Sequence, residues 1–188
     1  MIETDLKKIE HAAELRELEN MKFRSFLKGY CDLESEEIDA LVQRLTQEVA
    51  WEMNCDSCRN CCSLPPEVDA AELPSLAATL GMSVKDFKRL LIKEPLHATM
   101  GLVNPCPFLR EKDGQRTCAA GDAKPRLCVE YPYLMKPEFT TRLLGVVENY
   151  GECPIVYNVY ERLKKALAAE FAAAMPSIDR DWDMCEEE

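Results

Sequence analysis

The chain has 188 residues, a formal net charge of −11 and an apolar fraction of 47%, so it is long enough to bury a core of its own. This acidic balance disfavours nucleic acid and anionic membranes as partners, because phosphate contacts require lysine and arginine. No run of about 18 apolar residues occurs, and the charged N-terminal segment lacks the apolar stretch of a secretory signal. We therefore expect a cytoplasmic protein that binds neither nucleic acid nor membrane, in a compartment where thiols stay reduced.

Two amphipathic helices are predicted in the N-terminal part of the chain. The spacing of apolar residues predicts one long helix over residues 4–28, with Gly29 at its end. A second helix is predicted from Ser35 to about Met53, since its apolar residues keep a period of 3.6. This second helix leads the chain directly into Cys55.

Short helices and loops are predicted for the segment that follows. Residues 67–80 favour a helix that Gly81 ends, and Ser83 is placed to cap the next helix. Residues 95–106, which are interrupted by proline and glycine, are typical of a loop.

One β-hairpin is predicted between two cysteines. Asp113-Gly114 favours a tight turn, and the flanking residues then place Cys106 and Cys118 at matching ends of the hairpin. A further helix or turn holds Cys128, because Pro125 suits a helix start.

The C-terminal part is again predicted to be mostly helical. Residues 139–149 are compatible with a strand or a helix, and the final helix is predicted over about 155–174, with its buried face formed by Val156, Val159, Leu163, Ala166 and Leu167. The acidic run from Asp179 to Glu188 is interpreted as a solvated tail.

The predicted fold class is mainly α: a helical domain with a cysteine-rich irregular metal-binding core and one short β-hairpin. We expect three segments along the chain. These are a helical pair at 1–54 that packs on the core, a cysteine-rich domain at 55–175 and an acidic tail at 176–188.

Four of the ten cysteines lie within eight residues, in a C-x-x-C-x-x-C-C run. Thiolates crowded this closely repel one another unless a metal or a covalent bond consumes their charge. Because the expected compartment is reducing and the chain has only two histidines, a metal held through sulfur is the main hypothesis, and disulfides are the alternative. The run consists of Cys55, Cys58, Cys61 and Cys62.

Four further cysteines lie at turns, loop edges or proline junctions, where sulfurs can converge: Cys106, Cys118, Cys128 and Cys153. Neighbouring side chains diverge in an extended backbone, so we expect Cys61 and Cys62 to serve different ions. Either the eight thiolates form two sites of four sulfurs each, or one site takes four and the other thiols surround it or stay unbound. Cys31 and Cys185 are explained as ordinary residues.

The spacing is compatible with two kinds of metal centre. The first three cysteines of the run match the first three ligands of a bacterial ferredoxin motif, in which a remote Cys-Pro pair completes the set. Such pairs occur at Cys106 and Cys153, but Cys62 departs from the ferredoxin spacing. A Cys-x-x-Cys pair serves tetrahedral zinc equally well, so iron–sulfur and zinc both stay open.

The order of these cysteines resembles a known bacterial family. The matching elements are the C-x-x-C-x-x-C-C run, the Cys106-Pro-Phe-Leu segment, Cys118, the Lys-Pro-x-x-Cys128 segment followed by Tyr-Pro, and Cys153-Pro. They are similar to the CxxCxxCC family, described as zinc- or iron-chelating, and the cysteine region is similar to that of flagellin lysine N-methylases. The similarity covers about residues 50–157.

The resemblance implies a ligand set of eight cysteines: Cys55, Cys58, Cys61, Cys62, Cys106, Cys118, Cys128 and Cys153. The family usually has Arg-Pro-x-x-Cys-Arg, whereas this chain has Lys124 and Val129 at the two arginine positions. Lys124 keeps one positive charge near the thiolates, and Arg126 and Arg59 are candidates to replace the other.

Three functions are compatible with these residues and motifs. The first is an iron–sulfur protein that transfers electrons or supports a partner enzyme, and the second is a zinc-binding structural or interaction module. A metal-dependent enzyme related to methyltransferases comes third, because the sequence shows no glycine-rich donor pocket and no catalytic motif. In the first two cases we expect a protein partner.

Overall fold

The computed structural model describes residues 2–53, 58–64, 66–96, 99–112 and 115–186. Helices dominate these residues, which confirms the prediction of a mainly α protein. The chain divides into two compact units. We call Met1–Met53 together with Pro132–Glu188 the helical unit, and Asn54–Tyr131 the cysteine unit. The predicted boundaries of the three sequence segments stay a prediction.

The helices and strands are numbered in chain order over the described residues. The α-helices are α1 (Leu6–Leu15), α2 (Glu17–Gly29), α3 (Ser35–Glu52), α4 (Leu73–Thr79), α5 (Val84–Leu91), α6 (Arg126–Glu130), α7 (Leu143–Glu148), α8 (Pro154–Ala166) and α9 (Ala168–Glu186). The strands are β1 (Glu67–Val68), β2 (Ile92–Leu96), β3 (Thr99–Leu102), β4 (Leu109–Lys112) and β5 (Gln115–Cys118). Short 3-10 helices cover Asn60–Ser63, Ala70–Glu72, Gly121–Ala123, Phe139–Arg142 and Asn149–Gly151.

The first predicted helix is two helices in the structure. The Asp5 side chain accepts a hydrogen bond from the Lys7 backbone N–H at 3.0 Å and caps α1, which ends at Arg16. Arg16 leaves helical geometry at φ −111°, ψ 13°, and its guanidinium donates to Glu161 of α8 at 2.5 Å. The prediction of one continuous helix over residues 4–28 is therefore wrong at Arg16.

The second predicted helix is confirmed as α3. Its N-terminus is a capping box, in which the side chains of Glu34 and Glu37 each accept a backbone N–H of the other residue. Ser35 is the first helical residue, rather than the cap. Ile38, Val42 and Val49 are buried on one face, as the 3.6 period predicts.

Aromatic rings form the centre of the core in the helical unit. Phe23 of α2 is fully buried, and its ring centroid lies 5.6 Å from Phe26, 5.4 Å from Tyr160 and 5.1 Å from Phe171. Two of these contacts are edge-to-face, the arrangement that the ring quadrupole favours. The core thus joins α2, α8 and α9.

The final predicted helix is also two helices, which meet at Leu167. The predicted buried face of α8 is confirmed at Val156, Val159, Leu163 and Leu167. Ala166 is exposed, so its assignment to that face is wrong. Residues 139–149, for which the sequence left strand or helix open, are helical.

The acidic segment from Asp179 to Glu186 continues helix α9 and packs on α2, which differs from the expected solvated tail. Lys22 Nζ donates to Asp179 Oδ1 at 2.6 Å, and the indole N–H of Trp182 donates to Ser25 Oγ at 3.3 Å. The hydroxyl of Tyr30 also donates to Asp181. Ile178, directly before this segment, is fully buried.

The cysteine unit contains two small antiparallel sheets. The first has the strand order β1-β3-β2, and the second is the hairpin β4-β5. Residues 95–106, predicted as a loop, include the end of β2 and all of β3, so that prediction is wrong. Pro95 is tolerated because β2 is an edge strand, where a missing N–H breaks no interior ladder bond.

Gly81 and Ser83 end one helix and cap the next, as predicted. Residues 67–72 form β1 and a 3-10 turn, so the helix predicted over 67–80 begins only at Leu73, with Pro74 in its first turn. Gly81 follows with φ +65°, a left-handed conformation that favours glycine. The Ser83 hydroxyl accepts the Asp86 N–H at 3.1 Å and caps α5.

One apolar core holds the cysteine unit together, and two cysteines pack against it. The buried side chains are Val68, Leu73, Leu76, Ala77, Phe87, Leu102, Phe108 and Ala120. Cys106 and Cys118 lie on the edge of this cluster, half-buried. None of the helices in the described ranges is both long and apolar enough to cross a lipid bilayer.

Candidate metal centre

A tight 3-10 turn presents two adjacent cysteines. Arg59 adopts a left-handed conformation at φ 47°, ψ 25°, and its carbonyl accepts the Cys62 N–H at 3.1 Å. The Leu64 N–H then donates to the Cys61 carbonyl at 3.2 Å and closes the turn. The backbone at Cys61 and Cys62 is therefore coiled rather than extended.

The β4-β5 hairpin positions two further cysteines, as the sequence predicts. Leu109 pairs with Cys118 at the open end of the hairpin, and the Leu109 N–H donates to the Cys106 carbonyl at 3.0 Å. The Ala119 N–H donates to the carbonyl of buried Phe108 at 2.7 Å. Cys118 thus ends the ladder opposite Leu109, and Cys106 lies three residues before Leu109, while the predicted turn at Asp113-Gly114 lies outside the described residues.

Backbone and amide hydrogen bonds connect the two cysteine-bearing segments. The side-chain amide of Asn104 donates to the carbonyl of Ser63 at 3.0 Å, and the Leu102 N–H donates to the carbonyl of Pro66 at 2.8 Å. The segment that leads into Cys106 is therefore attached to the segment that follows Cys62.

The pKa of the Cys62 thiol lies well below that of an ordinary cysteine. The Cys61 thiol donates a hydrogen bond to the Cys62 sulfur, and this bond, with the positive charges of Arg59, Lys124 and Arg116, outweighs burial and lowers the Cys62 pKa to about 6. The thiolate is the form of cysteine that binds metal, and a pKa of about 6 makes the thiolate the main form of Cys62 at neutral pH. The premise that the two neighbouring sulfurs diverge is wrong in this 3-10 turn.

The pKa values of Cys106 and Cys128 are raised, in contrast to that of Cys62. Burial is the largest cause that raises the Cys128 pKa to about 11, and the charges of Cys106, Cys62 and Cys118 raise it further. Burial, with smaller contributions from Cys62 and Cys118, likewise raises the Cys106 pKa. These four sulfurs are close enough to disfavour one another's ionisation, a repulsion that a bound cation would remove.

The eight implied ligands differ in where the structure places them. Electrostatic interactions link four of them, Cys62, Cys106, Cys118 and Cys128, and the Cys61 thiol donates to Cys62. Cys58 is half-buried next to the same turn, and Cys55 lies outside the described residues. Cys153 belongs to the helical unit, where it is 7% exposed and precedes α8.

The chemistry of the gathered side chains fits a thiolate-bound metal. The eight cysteines with described side chains carry thiols, not disulfides. Over the described ranges, no group of three or more His, Cys, Asp and Glu side chains stands in metal-binding geometry. What fits the metal is the donor set itself: several thiols beside an apolar core, flanked by three cations that offset thiolate charge.

Two of the basic residues near the site are foreseen from the sequence and one is not. Lys124 lowers the Cys62 pKa, which confirms the expected positive charge near the thiolates, and Arg59 acts in the same way. Arg126 instead pairs with carboxylates, and Val129 is exposed. Arg116 was not predicted from the sequence. Because side chains alternate along a strand, Arg116 and Cys118, two residues apart in β5, lie on the same face.

Residues 54–146 match the model of the CxxCxxCC family, whose description reads "putative zinc- or iron-chelating domain". The chain carries a CxxCxxCC domain. This finding confirms the resemblance stated from the cysteine order. The match includes every implied ligand except Cys153, which follows its last residue. No curated protein and no solved structure matches the chain.

Proposed function

We propose that the CxxCxxCC domain of this protein binds an iron–sulfur cluster, which serves electron transfer or supports a partner enzyme. The observation that carries the proposal is the gathering of Cys62, Cys106, Cys118 and Cys128, whose charges act on one another. The zinc- or iron-chelating description of the family supports a metal at these sulfurs. The ferredoxin-like spacing of Cys55, Cys58 and Cys61 favours iron–sulfur.

The surrounding residues suit a negatively charged thiolate centre. Arg59, Lys124 and Arg116 offset the charge of the ligands, and the apolar side chains beside Cys106 and Cys118 limit the access of water. When bound, an iron–sulfur cluster supplies one-electron transfer. The potential of such a centre depends on net charge, burial and hydrogen bonds to sulfur, all of which this chain provides.

Zinc is the second candidate, and the small core of the cysteine unit favours it. The short strands and short helices of this unit enclose a single apolar cluster, so a tetrahedral zinc would add folding energy where the core adds little. In that case the unit is a structural or interaction module whose partner is a protein.

We expect the full-length protein, purified without oxygen, to be brown, with broad visible absorbance and bound iron and sulfide. A thiolate-bound cluster absorbs through sulfur-to-iron charge transfer, whereas zinc is colourless. Elemental analysis of iron, zinc and sulfide per chain is the measurement, with a parallel sample exposed to air as the control. A colourless protein with zinc would select the second candidate, and a protein without either metal would refute both.

A further inference from the structure

We propose that Arg126 is a positioning residue for Cys128, which it holds in place by clamping helix α6 to the 3-10 segment at residues 69–72. The proposal rests on the metal centre proposed above. Helix α6 has only five residues, too few to be stable through its own hydrogen bonds. Its place in the cysteine unit must therefore come from contacts outside the helix.

One carboxylate joins the two segments through their backbones. The backbone N–H of Arg126 donates to Glu72 Oε1 at 2.6 Å, and the Asp69 N–H donates to Glu72 Oε2 at 2.8 Å. Glu72 therefore orders the start of α6 and the 3-10 turn at the same time. Hydrogen bonds to a charged acceptor are stronger than neutral ones, and here both acceptor oxygens are used.

The guanidinium of Arg126 makes the second half of the clamp. Nη2 donates to Asp69 Oδ2 at 3.0 Å, and Nη1 donates to Glu130 Oε2 at 2.9 Å. The planar guanidinium thus bridges a carboxylate of the 3-10 segment and one of α6 itself. Lysine at this position would offer a single charged atom rather than two directed donors.

The other side of the clamp is fixed in the apolar core. Val68 and Leu73, which flank the 3-10 segment, are fully or almost fully buried. Val68 also pairs with Met100 in the β1-β3 ladder. Because Cys128 lies two residues after Arg126 within one short helix, fixing Arg126 fixes the direction from which Cys128 reaches the other sulfurs. Groups beyond the ligands orient metal sites in this way.

The test compares three full-length variants purified without oxygen. Arg126→Met removes both ion pairs, and Asp69→Asn removes the charge between segments while asparagine still caps the 3-10 turn. Glu130→Gln weakens the pair within α6, which does not connect the two segments, and is the matched control. Bound iron and zinc are counted, and their release into excess chelator is timed. We expect Arg126→Met to release metal about tenfold faster than wild type, Asp69→Asn to be intermediate, and Glu130→Gln to match wild type.

Site-resolved alkylation separates positioning from general loss of structure. In the metal-loaded Arg126→Met variant, we expect iodoacetamide to modify Cys128 faster than in wild type, while Cys62 keeps its wild-type protection. Equal release rates for Arg126→Met and wild type would overturn the positioning role alone, as would equal exposure of all the thiols. A wild-type protein without bound metal would instead refute the proposed function, and the positioning role with it.

Discussion

Replacing Cys62 by serine is expected to reduce the metal content of the anaerobically purified protein by about tenfold or more. Cys62 is the sulfur that the neighbouring Cys61 thiol and three cations favour as a thiolate. A serine hydroxyl stays protonated at neutral pH and is a poor ligand for iron or zinc, so the substitution removes one thiolate donor from the centre. Iron and zinc per chain are the measurement.

Cys31→Ser is the matched control for this substitution. Cys31 lies in the helical unit, outside the residues that match the CxxCxxCC family. Its thiol lies 3.9 Å from the Glu170 carboxylate, and burial, the largest cause, raises its pKa. We expect its replacement to leave the metal content unchanged. Wild-type metal content in Cys62→Ser would show that Cys62 is not a ligand.

Replacing Lys164 by methionine is expected to destabilise the helical unit by about 1–3 kcal/mol at neutral pH. Lys164 is 7% exposed, and its ammonium donates to Glu161 at 2.5 Å, Glu19 at 2.8 Å and Asn20 at 3.0 Å. It also lies 5.6 Å from the ring centre of Tyr150. Methionine keeps the apolar stem but removes the cation of Glu19 and one of the two cations of Glu161, which retains Arg16, and it leaves the buried Asn20 oxygen without this donor. Urea unfolding followed by far-UV circular dichroism measures the loss.

The same substitution changes how stability depends on pH. Burial tends to raise the pKa of Glu161, but hydrogen bonds from Lys164 and Tyr150 outweigh it, so the pKa lies below its usual value. A lowered pKa stabilises the fold above the usual carboxyl pKa, and this contribution disappears as the pH falls through the folded-state value. Without Lys164 the pKa of Glu161 rises, so we expect acid destabilisation to begin at a higher pH.

The neighbouring lysine provides the control for both effects. Lys165 is exposed on α8, so Lys165→Met keeps the same change of charge and residue type without opening a buried network. We expect its urea midpoint and acid profile to remain close to those of the wild type. If the two methionine variants unfolded at the same urea concentration, the ion network around Lys164 would not contribute measurably to the free energy of unfolding.

Elements with local signals could be predicted from the sequence. Helix α3 follows from its apolar period, and α5 from the capping serine at Ser83. The hairpin that carries Cys106 and Cys118 also follows from local turn chemistry. Because these signals lie within a few residues of the structure that they specify, the hairpin part of the candidate site could be predicted from the sequence.

Features that depend on distant partners could not be predicted. The break between α1 and α2 contains neither glycine nor proline, and it occurs where Arg16 reaches Glu161, far along the chain. The β1-β3-β2 sheet uses very short strands, which give little periodicity. The contact between Cys61 and Cys62 required the left-handed turn at Arg59, which no local preference indicates.

The discontinuity of the helical unit has a consequence for biosynthesis. Its first half, up to Met53, emerges from the ribosome before the cysteine unit, and its second half begins only at Pro132. Folding units generally form as translation proceeds. When the cysteine unit has been translated, α1–α3 still lack the second half of their unit, and Phe23 and Val42 are not yet covered by it. The cysteine unit, with every implied ligand except Cys153, is therefore translated before the helical core can close.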